Sequence, residues 1–443
     1  MTVFLGDNII SALGFTSAEN FENVKNGASG LKFFADRYDL PEPFMASEID
    51  DVRLNETFET CRSEFYAKTR GAGEGNTEFD EDNYGLQGES SPAIVNYTKL
   101  EKACIVSIAE ALKDTVKKDV AVEEIAAKSI SVEGVAVGGT ARKDAEIDLS
   151  SERVLFILST TKGNVFLLDE NERYGYEHNQ LYLWRSAELI AQFFGNTNKP
   201  LVVSNACISG AFALMAAQRE LRSGRYDYVI VTGADMLSKF IVTGFQSFKA
   251  LSLDVCKPFD ANRNGLNIGE AAATLIMTER GSNKPEEKDT GDIVMTAGAV
   301  RNDANHISGP SRTGEGSYLA LCKILEDVDI DELAFVCAHG TATPYNDEME
   351  SISITRAGLQ GVLVNSLKGY FGHTLGAAGI LESVISMCAI KEGIIPGTYG
   401  FETLGVTNPL HMVKEVEVTN KRRFVKMLSG FGGCNVAMLF TKY

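Results

Sequence analysis

Positive charge is scarce in this chain: its 443 residues hold 42 Lys and Arg against 60 Asp and Glu, a formal net charge of −18. That balance argues against nucleic acid or an anionic membrane as a partner, while leaving room for a local basic patch. Long apolar runs are missing too, and none approaches the roughly 18–20 residues of a membrane span. The opening stretch "MTVFLGDNIISALGF" has no basic n-region and sets Asp7 within its apolar part. A signal peptide is therefore not expected, and a cytoplasmic location is. The 8 cysteines form no CxxC pair and show no metal-like spacing with histidine, so no metal site is expected and reduced thiols are. No GxGxxG follows a strand-like run, and a P-loop is absent. No repeat of short fixed period occurs. Histidine itself is rare, with 5 in the chain: His178, His306, His339, His373 and His411.

What is present alternates. Short β-branched runs such as "RVLFILSTT", "PLVVSNA", "DYVIVTGAD", "LAFVCAHGT", "GVLVNSL" and "VKMLSGFGG" recur, and helical patterns separate several of them. This spacing predicts α/β architecture with buried strands and covering helices, and sites gather at the carboxyl ends of strands in such folds. Residues 69–91, 138–151 and 281–289 read as surface loops. A division near Asp254 gives two halves, residues 1–254 with Cys207 and 255–443 with most of the histidines.

Cys207 sits where the strand-like "LVVSNA" turns into a helix-forming stretch, among small neighbours that leave its sulfur approachable. A helix start presents unpaired N–H groups, which favour thiolate over thiol. The plainer reading is a buried cysteine packing as a small hydrophobe. His339 and His373 each follow a strand, beside glycine and ahead of a helical stretch, where side chains reach pockets. A thiol with two imidazoles is a nucleophilic-catalysis constellation. Lys368 precedes His373 in the same loop, and either Asp347 or Glu350, both beyond His339, is a candidate acceptor for it or simply a helix-terminal carboxylate. Gly430, Gly432 and Gly433 permit a loop whose N–H groups could line an oxyanion site.

Together these motifs resemble the β-ketoacyl-acyl carrier protein synthases, condensing enzymes of thiolase-like fold, over most of the chain. "NACISG", "PFDANRNGLNIGEAAATLIM", "AHGTATPYNDEMES", "NSLKGYFGHTLGAAG" and "GFGG" occur in the family's order. The resemblance implies two similar α/β halves packed as α-β-α-β-α layers. It makes Cys207 the acyl-accepting nucleophile and has His339 and His373 support decarboxylation of a malonyl thioester. It pairs Lys368 with Glu350, makes Phe431 a gatekeeper beside Gly432, and gives the oxyanion to the N–H groups of Cys207 and Phe431. Thr341 and Thr343, with Asp303, His306 and Ser308 of a second loop, would border the substrate arm. The expected reaction is a decarboxylative condensation with malonyl carrier protein in fatty acid, polyketide or polyene-type synthesis. Since CO₂ is the leaving group, no metal, nicotinamide or flavin is expected. A second histidine at 373 favours the elongating branch, which depends on carrier protein. A homodimer and an acyl carrier protein are the expected partners, with Lys249 at the docking surface and Arg263 and Arg301 near it in sequence.

Some positions depart from the family pattern. Tyr345 and Asn346 replace small residues, Leu367 replaces a hydroxyl residue before Lys368, and Cys434 replaces one after GFGG. "ILSTTKGNVF" replaces a Gly-rich strand end bordering the acyl pocket, so Lys162 either faces that pocket or turns to solvent or across a dimer. In the pocket it would suit a polar, aromatic or polyene chain. The competing readings are a non-condensing partner subunit and an acyltransferase that never condenses.

Overall fold

The computed structural model describes residues 1–71, 95–128, 147–280 and 291–443. Most of the three expected loops lies outside those residues, although the Asp51–Gly71 helix runs into the start of the first. Eleven strands form the main sheet. In chain order they are β1 (Thr2–Ser11), β2 (Val154–Ser159), β3 (Leu201–Val203), β4 (Tyr228–Asp235), β5 (Ala271–Glu279) and β6 (Ile293–Asn302). They continue as β7 (Leu333–Cys337), β8 (Leu363–Asn365), β9 (His411–Met412), β10 (Arg423–Gly430) and β11 (Cys434–Lys442). Across the sheet the order is β9-β8-β7-β10-β11-β6-β1-β5-β4-β2-β3.

The sense of pairing repeats. From β1 outward the pairs are antiparallel to β5, antiparallel to β4, then parallel to β2 and β3. From β6 outward they are antiparallel to β11, antiparallel to β10, then parallel to β7 and β8. Two copies of one topology thus meet at β1 and β6, which share the pair Val3↔Val294. β5 pairs with β1 and β4, so a strand that follows residue 254 belongs to the first copy's sheet.

Alternation along the strands builds the layers, because successive side chains leave opposite faces of a sheet. Leu155 and Ile157 enter the central core, whereas Val154, Phe156 and Leu158 enter an outer one with the Asp51–Gly71, Lys99–Lys128 and Leu183–Phe193 helices. In the second copy Phe424 and Leu428 face the central core, and Val425 and Met427 face a third cluster with the Glu315–Ile324 and Pro344–Arg356 helices. The central core holds two helices, Ser209–Arg222 and Ala378–Glu392, between the half-sheets. Ala378–Glu392 is buried along nearly its whole circumference, as a helix sandwiched on both sides must be. The result is the expected α-β-α-β-α stack of thiolase-like form.

The two central helices cross at glycine. A Cβ on Gly379 would run into the Ala211 backbone nitrogen, and one on Gly210 would lie 2.8 Å from the Gly376 carbonyl. Helix propensity alone would favour Gly379→Ala by up to about 1 kcal/mol. Overpacking costs about 1–3 kcal/mol and here meets backbone that has no rotamer to yield, so the clash wins. At Gly244, in the Lys239–Ser247 helix, an added methyl would meet nothing within 4 Å. Urea unfolding should therefore show Gly379→Ala with a lowered midpoint and Gly244→Ala with an equal or raised one.

Candidate active site

The chain leaves β3, turns sharply and enters the Ser209–Arg222 helix, with Cys207 in the turn. The turn places Ala206 at φ 45°, a left-handed conformation that costs a non-glycine residue about 1–3 kcal/mol. Ser209 holds it: its Oγ accepts the Asn205 N–H at 2.7 Å and donates to the Ala206 carbonyl at 2.6 Å. Gly430 lies against the other side, where a Cβ would come within 3.3 Å of the Cys207 nitrogen. The backbone N–H groups of Phe431 and of Cys207 itself favour the thiolate form of the sulfur, against its burial.

His339 follows β7 and His373 follows β8, and both are buried, whereas His178, His306 and His411 are exposed. The two rings meet edge to face with centroids 5.0 Å apart. One donor atom from each of Cys207, His339 and His373 lies within 4.8 Å of the others. The His373 backbone is pinned on both sides, donating to the Asn267 carbonyl at 2.7 Å and accepting from Gly269 at 3.0 Å. Its Nδ1 accepts the Leu375 N–H at 3.2 Å, which places the ring proton on Nε2. That Nε2 and the Nδ1 of His339 are buried without a hydrogen-bond partner among the described residues. A thiol and two imidazoles at this spacing resemble a metal set. The His373 tautomer opposes that use, because Nε2 presents a proton and not a lone pair.

Lys368 does not pair with Glu350. Its ammonium bonds Glu382 on the central Ala378–Glu392 helix, and Lys426 lies 2.5 Å from the other oxygen of the same carboxylate. Glu350 is committed elsewhere. Its two oxygens accept the N–H groups of His339 and Gly340, each at 2.7 Å, and the Asn346 amide at 2.8 Å. A carboxylate that holds the His339 turn by two main-chain bonds has little left for a lysine. Asp347, the other candidate acceptor, takes the Phe259 N–H at 2.7 Å, and burial pushes it up to about 7.

Burial also sets the charge state of the centre. It pushes the Cys207 thiol up to about 11, against the opposing pull of Lys368, of the Phe431 and Cys207 N–H groups, and of Lys162. The thiolate expected from a helix start is thus outweighed, because Cys207 is shielded from water and precedes the helix cap at Ile208. Burial likewise lowers His339 well below its ordinary value, aided by Lys368, His373 and Lys426, and lowers His373 with help from the same two lysines. The resting site is a neutral thiol facing two neutral imidazoles.

The remaining candidates differ in where the fold puts them. Phe431 is partly exposed and packs its ring against Phe245 and Phe248, with centroids 6.1 and 5.5 Å away. Lys249 follows Phe248 and is exposed. The Phe431 loop is tied to the second loop, since the Gly432 N–H donates to Ile307 at 2.7 Å and the Asp303 N–H donates to Gly433 at 2.8 Å. The Asp303 carboxylate is turned inward, accepting from Gly316 at 2.8 Å and Ser311 at 3.2 Å, while the Ser308 N–H donates to His306 Nδ1. Thr341 and Thr343 share a hydroxyl contact of 2.8 Å. Arg263 donates to the Gly405 carbonyl at 2.6 Å and Arg301 is exposed. Tyr345 is exposed, and Leu367 is buried. Lys162 is exposed, and its main chain is held by Asp235.

Three residues of the site escaped sequence reading. Glu382 and Lys426 complete the ion cluster. Asp235, at the end of β4, accepts from Thr160 and Thr161, from the Lys162 N–H and, at 2.7 Å, from the Gly376 N–H beyond His373. A carboxylate closing an apolar strand was the one available signal.

Residues 9–282 match the beta-ketoacyl synthase N-terminal domain and residues 293–402 the C-terminal domain. The chain is 30% identical over 276 residues to a putative mitochondrial 3-oxoacyl-[acyl-carrier-protein] synthase of Schizosaccharomyces pombe, which is 58% of this chain and 65% of that protein, less than two thirds. It is 26% identical over 381 residues to a putative polyketide beta-ketoacyl synthase 1 of Streptomyces halstedii, covering 82% and 86%. Among solved structures, a ketosynthase in complex with its chain length factor from Xenorhabdus doucetiae superposes with TM-score 0.75 at 21% identity, covering 100% of this chain and 98% of that one. A type II acyl-carrier protein in complex with its hexaketide-bound ketosynthase includes a chain that superposes at 0.73 and 18%, covering 100% and 99%.

Because the thiol rests protonated, iodoacetamide labelling of Cys207 should rise about tenfold per pH unit from about pH 7 to 10 without levelling. Levelling near the ordinary cysteine value would contradict this. Lys368→Met removes the largest opposing charge and should slow labelling at any fixed pH within that range, as peptide mass spectrometry can follow.

Proposed function

The chain belongs to the beta-ketoacyl synthase family, and on that premise we propose that it condenses an acyl group held on Cys207 with a malonyl group delivered by acyl carrier protein. The observation that carries this reading is the convergence of Cys207, His339 and His373, with a fixed Nε2–H on His373.

In the first step the Cys207 sulfur attacks the acyl thioester carbonyl, and the carrier thiol leaves with the proton that the cysteine gives up. The N–H groups of Cys207 and Phe431 take the developing oxyanion, a contribution of about 10²–10³ in rate for each donor. In the second step the malonyl carboxylate departs as CO₂, and its bonding pair becomes an enolate whose oxygen His373 Nε2–H, with the adjacent His339 ring, stabilises. The enolate carbon then attacks the acyl-cysteine carbonyl, and the Cys207 thiolate is released and reprotonated. Neutral rings suit this step, since an imidazolium would hold the carboxylate as an ion pair and oppose its loss. Loss of CO₂ provides the driving force, so we propose that no metal or redox cofactor takes part.

The partners follow from the same reading. The exposed Lys249 and Arg301 offer cations to an acidic carrier protein near the Phe431 mouth. We propose a homodimer as well, for which the support is β3: a three-residue edge strand with Leu201 exposed, followed by the Ser209–Arg222 helix on which Phe212 is exposed too. Thr341, Thr343, Asp303 and Ser308 would border the carrier's arm, and the exposed Lys162 would turn to solvent or across the dimer. A cytoplasmic location fits, and among the described residues no helix is long and apolar enough to cross a membrane.

Incubation with acyl carrier protein should add the acyl mass to Cys207 in the native chain and not in Cys207→Ala. With malonyl carrier protein the native chain should release CO₂. His373→Ala should keep acylation while CO₂ release falls at least about 10²-fold. Condensation that survives Cys207→Ala would end the proposal.

A further inference from the structure

Beyond its place in the ion cluster Lys426 has no part in the steps above, yet it is fully buried in the middle of β10. An unpaired ammonium there would cost several kcal/mol, so what surrounds it is informative. Its Nζ donates to the carbonyls of Cys337 at 3.2 Å and Ala338 at 3.1 Å, and lies 2.5 Å from Glu382 Oε2. Those carbonyls end β7 and immediately precede His339. Glu382 holds Lys368 on its other oxygen, in the loop that leads to His373. One side chain therefore touches the supports of both histidines.

Charge counting makes the arrangement specific. Around the two rings the buried cations are Lys368 and Lys426, and the buried carboxylates are Glu382, Glu350, Asp347 one turn from Glu350, and Asp235, which holds the Gly376 N–H beyond His373. The Cys207 thiol faces the rings from the Ser209–Arg222 side and is neutral at rest. Lys368 alone would match Glu382 and leave Glu350 uncompensated. Glu350 cannot be dispensed with, because it fixes the His339 turn through two main-chain bonds.

We propose that Lys426 is a positioning residue of this site, fixing the strand end that carries His339 and balancing the buried charge of Glu350, so that the anion the rings meet is the substrate's and not the protein's. This rests on the malonyl-condensing reading. Lys426 lowers both His339 and His373, behind burial and Lys368. Removing it enlarges the excess of carboxylates over cations beside two imidazoles, and the rings then take up a proton at higher pH.

The test uses the full chain and three variants: Lys426→Met, Lys426→Gln, which keeps N–H donors for the two carbonyls, and Lys426→Arg, which keeps the charge. CO₂ release from malonyl carrier protein is measured against pH, beside mass addition at Cys207. Independently, the two buried histidines are titrated by NMR of labelled rings. In Met and Gln variants the acid limb of CO₂ release and the ring titrations should move up by about one pH unit, with Cys207 acylation within about threefold of native. The Arg variant should keep the native profile. Ring titrations that stay put in Met and Gln variants overturn the proposal, as does an equal loss of acylation and CO₂ release at every pH. If the native chain releases no CO₂ while the rings move as expected, the condensing reading fails and the role of Lys426 stands.

Discussion

Glu382 is the constraint on which the rest of the structure turns. It is carried by a helix packed on nearly every side between two half-sheets, the least hospitable place for a carboxylate. The fold answers with two lysines, Lys368 from the loop that leads to His373 and Lys426 from β10, both buried. Deleting one member of such a buried pair typically costs about 3–5 kcal/mol, because the partner is left uncompensated. The interaction therefore ties the central helix, the His373 loop and the end of β7 into one rigid unit. It also holds two ammonium groups near the imidazoles, and they oppose protonation of the rings.

The site is built by backbone as much as by side chain. Left-handed conformations at Ala206, Phe259, Ala342 and Leu375 fall beside Cys207, Asp347, Thr341 and His373 respectively. Each re-aims an N–H or a side chain where a regular strand or helix could not. Leu375 is the clearest case: at φ 50° its N–H bonds the His373 ring and fixes the tautomer. Asp235 steadies the neighbouring Gly376, and Ser159 accepts no part of that load, donating instead to the Gly376 carbonyl at 2.5 Å. Strain of this kind persists only where the surroundings over-determine it.

Much of this was legible from residue order. Cys207, His339 and His373 announce themselves because each ends a β-branched run beside small residues, and strand ends are where α/β folds expose chemistry. The partner of Lys368 was misassigned, since Glu350 and Glu382 are both compatible in spacing and only the packing of the central helix decides. The thiolate expectation failed for a related reason: the helix start is visible in sequence, while the desolvation that outweighs it depends on which segments cover the sulfur. Lys426 was invisible because a lysine in a strand ordinarily reads as solvated. The doubling of the fold leaves no repeat of short fixed period in the residues and shows in the sense of the strands.

That doubling has a geometric consequence. β3 and β8 are equivalent strands of the two copies, and each delivers one reactive loop and then one central helix. Cys207 lies just ahead of the first helix and His373 just ahead of the second, so the two helices are the arms of a caliper whose jaws are the Cys207 thiol and the His373 ring. The pivot is the crossing of Gly210 against Gly376 and Gly379, where backbone touches backbone without an intervening methyl. The gauge of the reaction centre is thus set by the absence of side chains some distance from it. A duplicated fold can hold a bond-forming distance constant with no contact between the reacting groups themselves.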